Sequence, residues 1–302
     1  MDSTQRWMEH MRRGEFSAAW RISDSLLRRY LAAPYTDIHL PRHQQVIWNG
    51  AALAGKRVLV RCYHGFGDTI QFIRYVPMLK TVAAQVTVWA PPTLIKLLST
   101  ARGIDRMIAL HDGTPDCEYD AAVEVMELPY VFRTTLETIP AGVPYFHVDA
   151  GDIDDSKIKV GVVWRGGDWD PRRDVPFSLI TRLGDVDGIS FYVLQQDANE
   201  SEQHDRFRMI LQKNGDALST ARIMRALDLV ISVDSMPAHL AGSLGIPTWI
   251  LLQKEADWRW MNDRSDSPWY PTMRLFRQWR AGDWEPVIAE IGLQLGKLPA
   301  SR

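Results

Sequence analysis

Residues 228–252 read DLVISVDSMPAHLAGSLGIPTWILL. Leu229–Val233 is a continuous apolar run rich in β-branched residues, the signature of a strand buried on both faces. Pro237–Leu244 follows as a helix, with proline fitting its first turn. Thr248–Leu252 (TWILL) is a second buried strand. Strand, helix and strand in this order predict a parallel crossover unit, with helices covering the faces of a parallel sheet.

The same alternation extends in both directions. Upstream lie Lys159–Trp164 (strand), Phe177–Leu183 (helix), Ser190–Gln195 (strand) and Ser219–Leu227 (helix); downstream, Pro286–Gly296 is a last helix. An earlier series comprises Lys56–Cys62 (strand), 68–80 (helical at its start), Gln85–Ala90 (strand), Pro92–Thr100 (helix), Met107–Leu110 (short strand) and Asp120–Val125 (strand). The acidic stretch DAGDIDDS at 149–156 separates the two series and is read as the domain boundary. Residues 4–31 carry apolar positions at helical spacing, broken at Gly14, and predict a helical hairpin; 32–55, with Pro34, Pro41, Asn49 and Gly50, reads as loop. The expected organisation is a hairpin and loop at 1–50, a doubly wound Rossmann-like domain at 51–150 and a second at 156–302. The two doubly wound domains are expected to face a cleft, with packing of the last helix back on the first domain left open.

Composition sets the class. The 302 residues are 46% hydrophobic and 24% charged, with a formal net charge of -2, as in soluble globular chains. No overall basic field is available to hold nucleic acid. The only cysteines, Cys62 and Cys117, form no CxxC pair, which argues against a zinc site or a disulfide framework. The first residues are too polar for a secretory signal, and no apolar run approaches the roughly 20 residues of a membrane helix. A cytoplasmic location is expected. Six of the 12 tryptophans lie between Trp249 and Trp284; they suit a core, and also stacking on sugars or bases.

Four segments fall at carboxyl ends of strands, where ligands of doubly wound sheets bind. In His64-Gly65-Phe66-Gly67-Asp68-Thr69, two glycines permit a tight strand-to-helix turn. Asp68 there is either a helix cap or a general base acting on a hydroxyl. In Asp234-Ser235-Met236-Pro237-Ala238-His239, the first turn of the helix offers amides to an anion such as a diphosphate; alternatively Ser235 or Asp234 only caps and His239 only packs. In Trp164-Arg165-Gly166-Gly167-Asp168, Arg165 can meet phosphate in bidentate fashion or belong to a solvated basic loop with Arg172 and Arg173. Lys254, after TWILL, is a phosphate contact or a surface lysine. The D-x-D matches at 152–154 and 185–187 read as solvated acidic loops rather than metal sites. The HExxH, G-x-S-x-G and P-loop patterns are absent, and the 64–69 turn lacks the full dinucleotide fingerprint.

GFGDTIQFIRYVPMLK (65–80) and the 228–252 stretch resemble the two signature regions of the bacterial ADP-heptose:lipopolysaccharide heptosyltransferase family, family nine of the glycosyltransferases. DWRWMNDRSDSPWYPTMRLFRQ (257–278) resembles the relatives that often follow tetratricopeptide repeats, and the hairpin at 4–31 fits a remnant of such a repeat. The resemblance covers about residues 40–290. It implies the two-domain GT-B fold, with acceptor bound mainly to the N-terminal domain and donor to the C-terminal one. Asp68 corresponds to the proposed catalytic base, with His64, Gly65, Gly67 and Gln71 on the acceptor side. Asp234 and His239 correspond to residues near the donor diphosphate; Ser235, Met236, Trp164, Arg165, Gly166 and Lys254 join them on the donor side. Close heptosyltransferases place a lysine after the first strand of the second domain; here the loop reads WRGGDWDPRR, leaving Arg165 or Arg172 to substitute.

The expected activity is inverting, metal-independent transfer of a sugar from a nucleotide-diphosphate sugar to an acceptor hydroxyl, in cell-surface glycan or protein glycosylation. The nucleotide sugar is a co-substrate, and no cofactor is expected. The acceptor is a glycan, a lipid-linked molecule or a protein, with peripheral membrane contact open. Three alternatives stand: a non-catalytic nucleotide-sugar or glycan-binding module, a protein that docks partners through its hairpin, and a nucleotide-sugar epimerase of the same fold.

Overall fold

A computed structural model describes residues 2–32, 46–211 and 215–299. Pro34 and Pro41 of the expected loop lie outside the described residues; 46–55 form neither helix nor strand. The chain divides into two units, Met1–Ala141 with Asp257–Asn262, and Gly142–Ala256 with Asp263–Arg302.

The first unit opens with the expected hairpin, α1 (Ser3–Arg12) and α2 (Phe16–Ala32). Asp2 caps α1: its carboxylate accepts from Gln5 N at 2.8 Å, and the Gln5 side chain accepts from Asp2 N in return. Gly14 turns the chain with φ of 73°, a region that glycine enters without steric penalty. The hairpin buries Met11, Phe16, Ala19 and Trp20, and the Trp20 indole donates to the Thr134 carbonyl at 2.7 Å. Four parallel strands follow, β1 (Arg57–Arg61), β2 (Gln85–Ala90), β3 (Arg106–Ala109) and β4 (Ala121–Glu124), in the order β3-β2-β1-β4. Between β1 and β2 run α3 (Phe66–Phe72), a 3₁₀ turn and α4 (Val76–Val82). The segment expected as a helix at 92–100 is a 3₁₀ turn followed by the four-residue α5 (Ile95–Leu98); α6 (Leu128–Val131) is equally short.

The second unit holds six parallel strands: β5 (Ile158–Val163), β6 (Ile189–Val193), β7 (Phe207–Met209), β8 (Leu229–Val233), β9 (Thr248–Leu252) and β10 (Met273–Arg277). Their order, β10-β9-β8-β5-β6-β7, numbered within the unit is 6-5-4-1-2-3, the order of the dinucleotide-binding doubly wound sheet. Every residue of β6 and β8 is buried, Ser190 and Ser232 included, which explains their largely apolar character. α7 (Phe177–Ile180), α8 (Ala217–Arg225), α9 (Met236–Ser243) and α10 (Glu285–Leu295) complete the unit.

Several features differ from the sequence expectation. β7 and β10 are edge strands, and their Arg208 and Arg274 are exposed, so neither carries the apolar run of a central strand. The acidic stretch 149–156 lies inside the second unit. Asp155 there accepts from Lys157 N, Tyr192 OH and Arg208 Nη1 at 2.7–2.9 Å, and Gly151 N donates to the Arg222 carbonyl. Its acidity fixes backbone and edge strand instead of solvating a linker. The last helix, α10, packs within the second unit against β10 and α7; the piece that returns to the first unit is 257–262. Of the late tryptophans, Trp258, Trp260, Trp269 and Trp284 are buried, whereas Trp279 is 86% exposed. No helix among the described residues is long and apolar enough to cross a membrane.

Gly242 on α9 shows how tightly the second unit is packed. A Cβ there would lie 2.4 Å from the Met273 methyl and 2.6 Å from the Tyr270 ring. Gly242→Ala is expected to destabilise the protein by about 1–3 kcal/mol through overpacking, read as a lower urea midpoint at unchanged slope.

Candidate functional site

In the first unit the turn after β1 places Asp68. Helix α3 begins at Phe66, with Gly65 as its N-cap, two residues before the expected start at 68. Asp68 is therefore the third helical residue, and its Oδ2 accepts from Gly65 N at 3.0 Å, the reciprocal half of a capping box. Its Oδ1 pairs with Arg259 Nη2. Arg259 Nη1 holds Asp257 Oδ1 at 2.9 Å, and the guanidinium carbon lies 5.3 Å from the Phe72 ring centroid and 5.1 Å from that of Trp258. The carboxylate is held through both oxygens while its side chain stays 24% exposed. It thus serves as a cap, and its carboxylate remains accessible to solvent. His64, Gly65 and Gly67 line the same turn and are exposed or half-buried. Gln71 is fully buried, and neither its Oε1 nor its Nε2 has a hydrogen-bond partner.

The strand order of this unit reverses between β1 and β4, and Glu124 ends β4. Its buried carboxyl accepts from Tyr63 N (3.0 Å) and Met126 N (2.6 Å). Glu127 accepts from Glu124 N and Trp48 N at 2.8 and 3.1 Å. Burial pushes Glu124 up to about 8, against the opposing effect of the two amides, and the nearby Glu127 and Asp68 carboxyls add to the rise. Burial raises Glu127 as well.

In the second unit the reversal lies between β5 and β8. The turn after β8 leads into α9, with Ser235 at the N-cap position but making no side-chain cap; its hydroxyl turns back to the Val233 carbonyl at 3.2 Å. His239 is buried, with Nδ1 3.0 Å from Tyr270 OH and Nε2 3.8 Å from Asp234 Oδ1. Met236 opens α9. Across the reversal comes the loop after β5, where Gly166 N donates to Asp174 Oδ1 at 2.9 Å. Arg173 reaches over it, donating from Nη1 to the Asp234 carbonyl (2.8 Å), from Nη2 to that of Gly167 (3.1 Å) and from Nε to that of Asp170 (3.1 Å). Backbone carbonyls orient this cation without cancelling its charge.

The other donor-side expectations fall differently. Arg165 turns to Glu202 and Asp197, and Trp164 is fully buried with its indole on Glu202 at 2.9 Å; both serve the packing beneath the loop. Arg172 is paired with Asp170. Lys254 is exposed, and its backbone N–H faces Gln278 Oε1 at 3.4 Å. The structure thus brings Asp234, Ser235, Met236, His239 and Gly166 to one reversal, with Arg173 rather than Arg165 or Arg172 as the arginine beside them. Sequence reading missed Glu124, Arg259, Tyr270 and the part played by Arg173. Arg259 and Tyr270 lie in the 257–278 stretch, where their type gives no clue to partners far away in sequence. Among the described residues no group of three or more His, Cys, Asp or Glu is placed to hold a metal ion. A cavity of about 500 Å³ opens beside the hairpin turn, lined among others by His10, Glu15, Arg21 and Glu137; it shares no lining residue with the Asp68 turn.

Comparison with known proteins places the fold. The chain is similar to the crystal structure of a glycosyl transferase family 9 protein from Veillonella parvula DSM 2008, with a TM-score of 0.57 and 15% identity over 83% of this chain and 92% of that one. It is similar to E. coli ADP-heptose LPS heptosyltransferase II, with a TM-score of 0.56 and 14% identity over 79% and 98%. The two parallel-sheet units are those of the GT-B glycosyltransferase fold. In sequence the chain is 25% identical to Protein FlbA of Caulobacter vibrioides, over 86% of this chain and 50% of FlbA. The chain thus spans about half the length of that relative. No protein-family model matches it.

Two measurements check these environments. Glu124 has a folded value near 8 against an ordinary 4.5, so its contribution to stability is complete below pH 4.5 and is lost as pH rises through 8. Unfolding free energy is expected to fall between pH 5 and 9, and Glu124→Gln is expected to flatten that fall while losing one amide contact. Gln71→Leu removes a buried amide without partners and is expected to raise stability by about 1–3 kcal/mol; a lower denaturation midpoint would show that the amide is satisfied.

Proposed function

We propose that this chain is an inverting, metal-independent glycosyltransferase that moves a sugar from a nucleoside-diphosphate sugar to an acceptor hydroxyl. The observation that carries the reading is Asp68: a carboxylate at the carboxyl end of a parallel strand, anchored through both oxygens and still open to solvent. Each oxygen keeps a second lone pair for an acceptor hydroxyl. In the step proposed, the acceptor oxygen bonds to the anomeric carbon and its proton passes to Asp68. The bond from that carbon to the diphosphate oxygen breaks, and the leaving group carries the electron pair away.

The second unit supports the donor half of the reading. Its strand order is that of nucleotide-binding sheets, and α9 starts at the reversal where such ligands bind. The Arg173 guanidinium beside Asp234 supplies charge for a leaving diphosphate, the kind of preorganised stabilisation that serves without reorganisation. His239, held by Tyr270, keeps Asp234 and the start of α9 in register. The similarity to ADP-heptose-dependent enzymes puts ADP sugars first among the donors to try. On this reading the α1–α2 hairpin is a remnant of a tetratricopeptide-type repeat. The acceptor is a glycan, a lipid-linked molecule or a protein.

A thermal-shift panel of ADP, GDP, UDP and their sugars, run in EDTA, tests the donor half. A nucleotide at about 100 times its Kd adds about 2.7 kcal/mol, so a raised midpoint is expected for at least one base. Asp68→Asn is expected to keep that shift and to lose about 100- to 10,000-fold in transfer. Retained transfer in that variant removes Asp68 from the role of base, and a shift without transfer in the wild type favours the non-catalytic binding module.

A further inference from the structure

Arg259 stands 191 residues from Asp68 in sequence, yet its guanidinium closes on that carboxylate. The arrangement around it is built in layers. The segment 257–262 leaves the second unit's stretch of chain and belongs to the first unit. Within it, Asp257 accepts from both Arg259 N (3.0 Å) and Arg259 Nη1 (2.9 Å), folding the arginine over its own turn. Trp258 lies nearly parallel to Phe72 of α3, with ring centroids 6.3 Å apart and an interplanar angle of 18°, and meets Trp7 of α1 edge-on at 5.6 Å. The Asn262 amide donates to the Arg12 carbonyl at 3.0 Å. The turn ends at Met261 with φ 50° and ψ 176°, a conformation costing a non-glycine residue about 1–3 kcal/mol unless its surroundings enforce it. Helices α1 and α3 thus hold a strained turn from which Arg259 reaches the Asp68 carboxylate, with its side chain only 9% exposed.

We propose that Arg259 is the positioning residue for Asp68, fixing the direction in which the carboxylate presents its remaining lone pairs to the acceptor; this rests on the reading of Asp68 as the base. Arg259 keeps its charge throughout the reaction and cannot take the acceptor's proton. Its contribution is geometric: Gly65 N holds Oδ2, Arg259 holds Oδ1, and two anchors leave the carboxylate no torsional freedom. A misplacement on the order of 1 Å at such a group costs about 100-fold in rate. A planar fork is needed because the same guanidinium serves Asp257 and Asp68 together, a geometry that an ammonium does not reproduce.

The test uses the full chain and water as acceptor, measuring nucleoside diphosphate released from ADP-, GDP- and UDP-glucose, with nucleotide affinity measured separately by calorimetry. Arg259→Ala is expected to lose about 100-fold in kcat with the Kd for the nucleoside diphosphate within about twofold of wild type. Methylguanidine is expected to restore part of the turnover of Arg259→Ala and none of that of Asp68→Asn. Arg259→Lys, which keeps charge and bulk should the alanine variant fold poorly, is expected to fall between wild type and alanine, with a wild-type circular dichroism spectrum. Turnover of Arg259→Ala equal to or above wild type overturns the proposal, as does a loss matched by weaker nucleotide binding and untouched by methylguanidine. The outcomes separate the two claims. If Asp68→Asn is inactive and Arg259→Ala is normal, only the role of Arg259 falls; if Asp68→Asn is normal, the base reading falls and takes this one with it.

Discussion

A parallel sheet covered on both faces has only its strand ends left for chemistry. That constraint organises both units. The central strands β6 and β8 are largely apolar because helices lie on each side of them, so the polar side chains of the candidate sites gather at or beyond the carboxyl ends of strands. At a reversal of strand order, two neighbouring crossovers leave in opposite directions and open a gap between turns. Asp68 and Glu124 flank such a point in the first unit, and Gly166 and Asp234 in the second.

What distinguishes the turns from ordinary loops is the way their charges are held. Asp68 is fixed by an amide and a guanidinium, Glu124 by two amides, and Arg173 by three carbonyls. Side chains fixed in this manner lose little further freedom when a ligand arrives, which lowers the entropic penalty of binding. Glu124 also shows the opposite pull. Its carboxyl sits deep enough that burial outweighs the donors facing it, so the reversal point of the first unit carries a group whose charge changes close to neutrality.

The alternation of strands and helices was legible in the sequence because buried parallel strands and crossover helices leave distinct patterns at distinct lengths. The segment 228–252 alone gave strand, cap position, proline and second strand in register with β8, α9 and β9. The edge strands β7 and β10 were not legible, since half-exposed strands admit arginine. Within the candidate site, residues in the turns after β1 and β8 could be read because glycine, proline and polar residues cluster there. Arg165 and Arg172 were natural choices for a phosphate contact by type and position. The structure gives them carboxylate partners and sends Arg173 across instead, a choice made by neighbours on other strands. Arg259 and Tyr270 were beyond sequence reasoning for the same reason: their meaning lies in Asp68 and His239, each many residues away.

The excursion of 257–262 also bears on the order in which the molecule is completed. The first unit contains the N-terminal hairpin and a four-stranded sheet, all translated before residue 142, but its remaining piece emerges from the ribosome more than a hundred residues later. Until then Trp7 and Phe72 lack the indole that joins them, and Asp68 lacks its guanidinium. A nascent chain carrying only the first stretch therefore leaves apolar surface on α1 and α3 waiting for a later segment of itself. The surroundings of Asp68 are therefore complete only when synthesis has passed through most of the second unit.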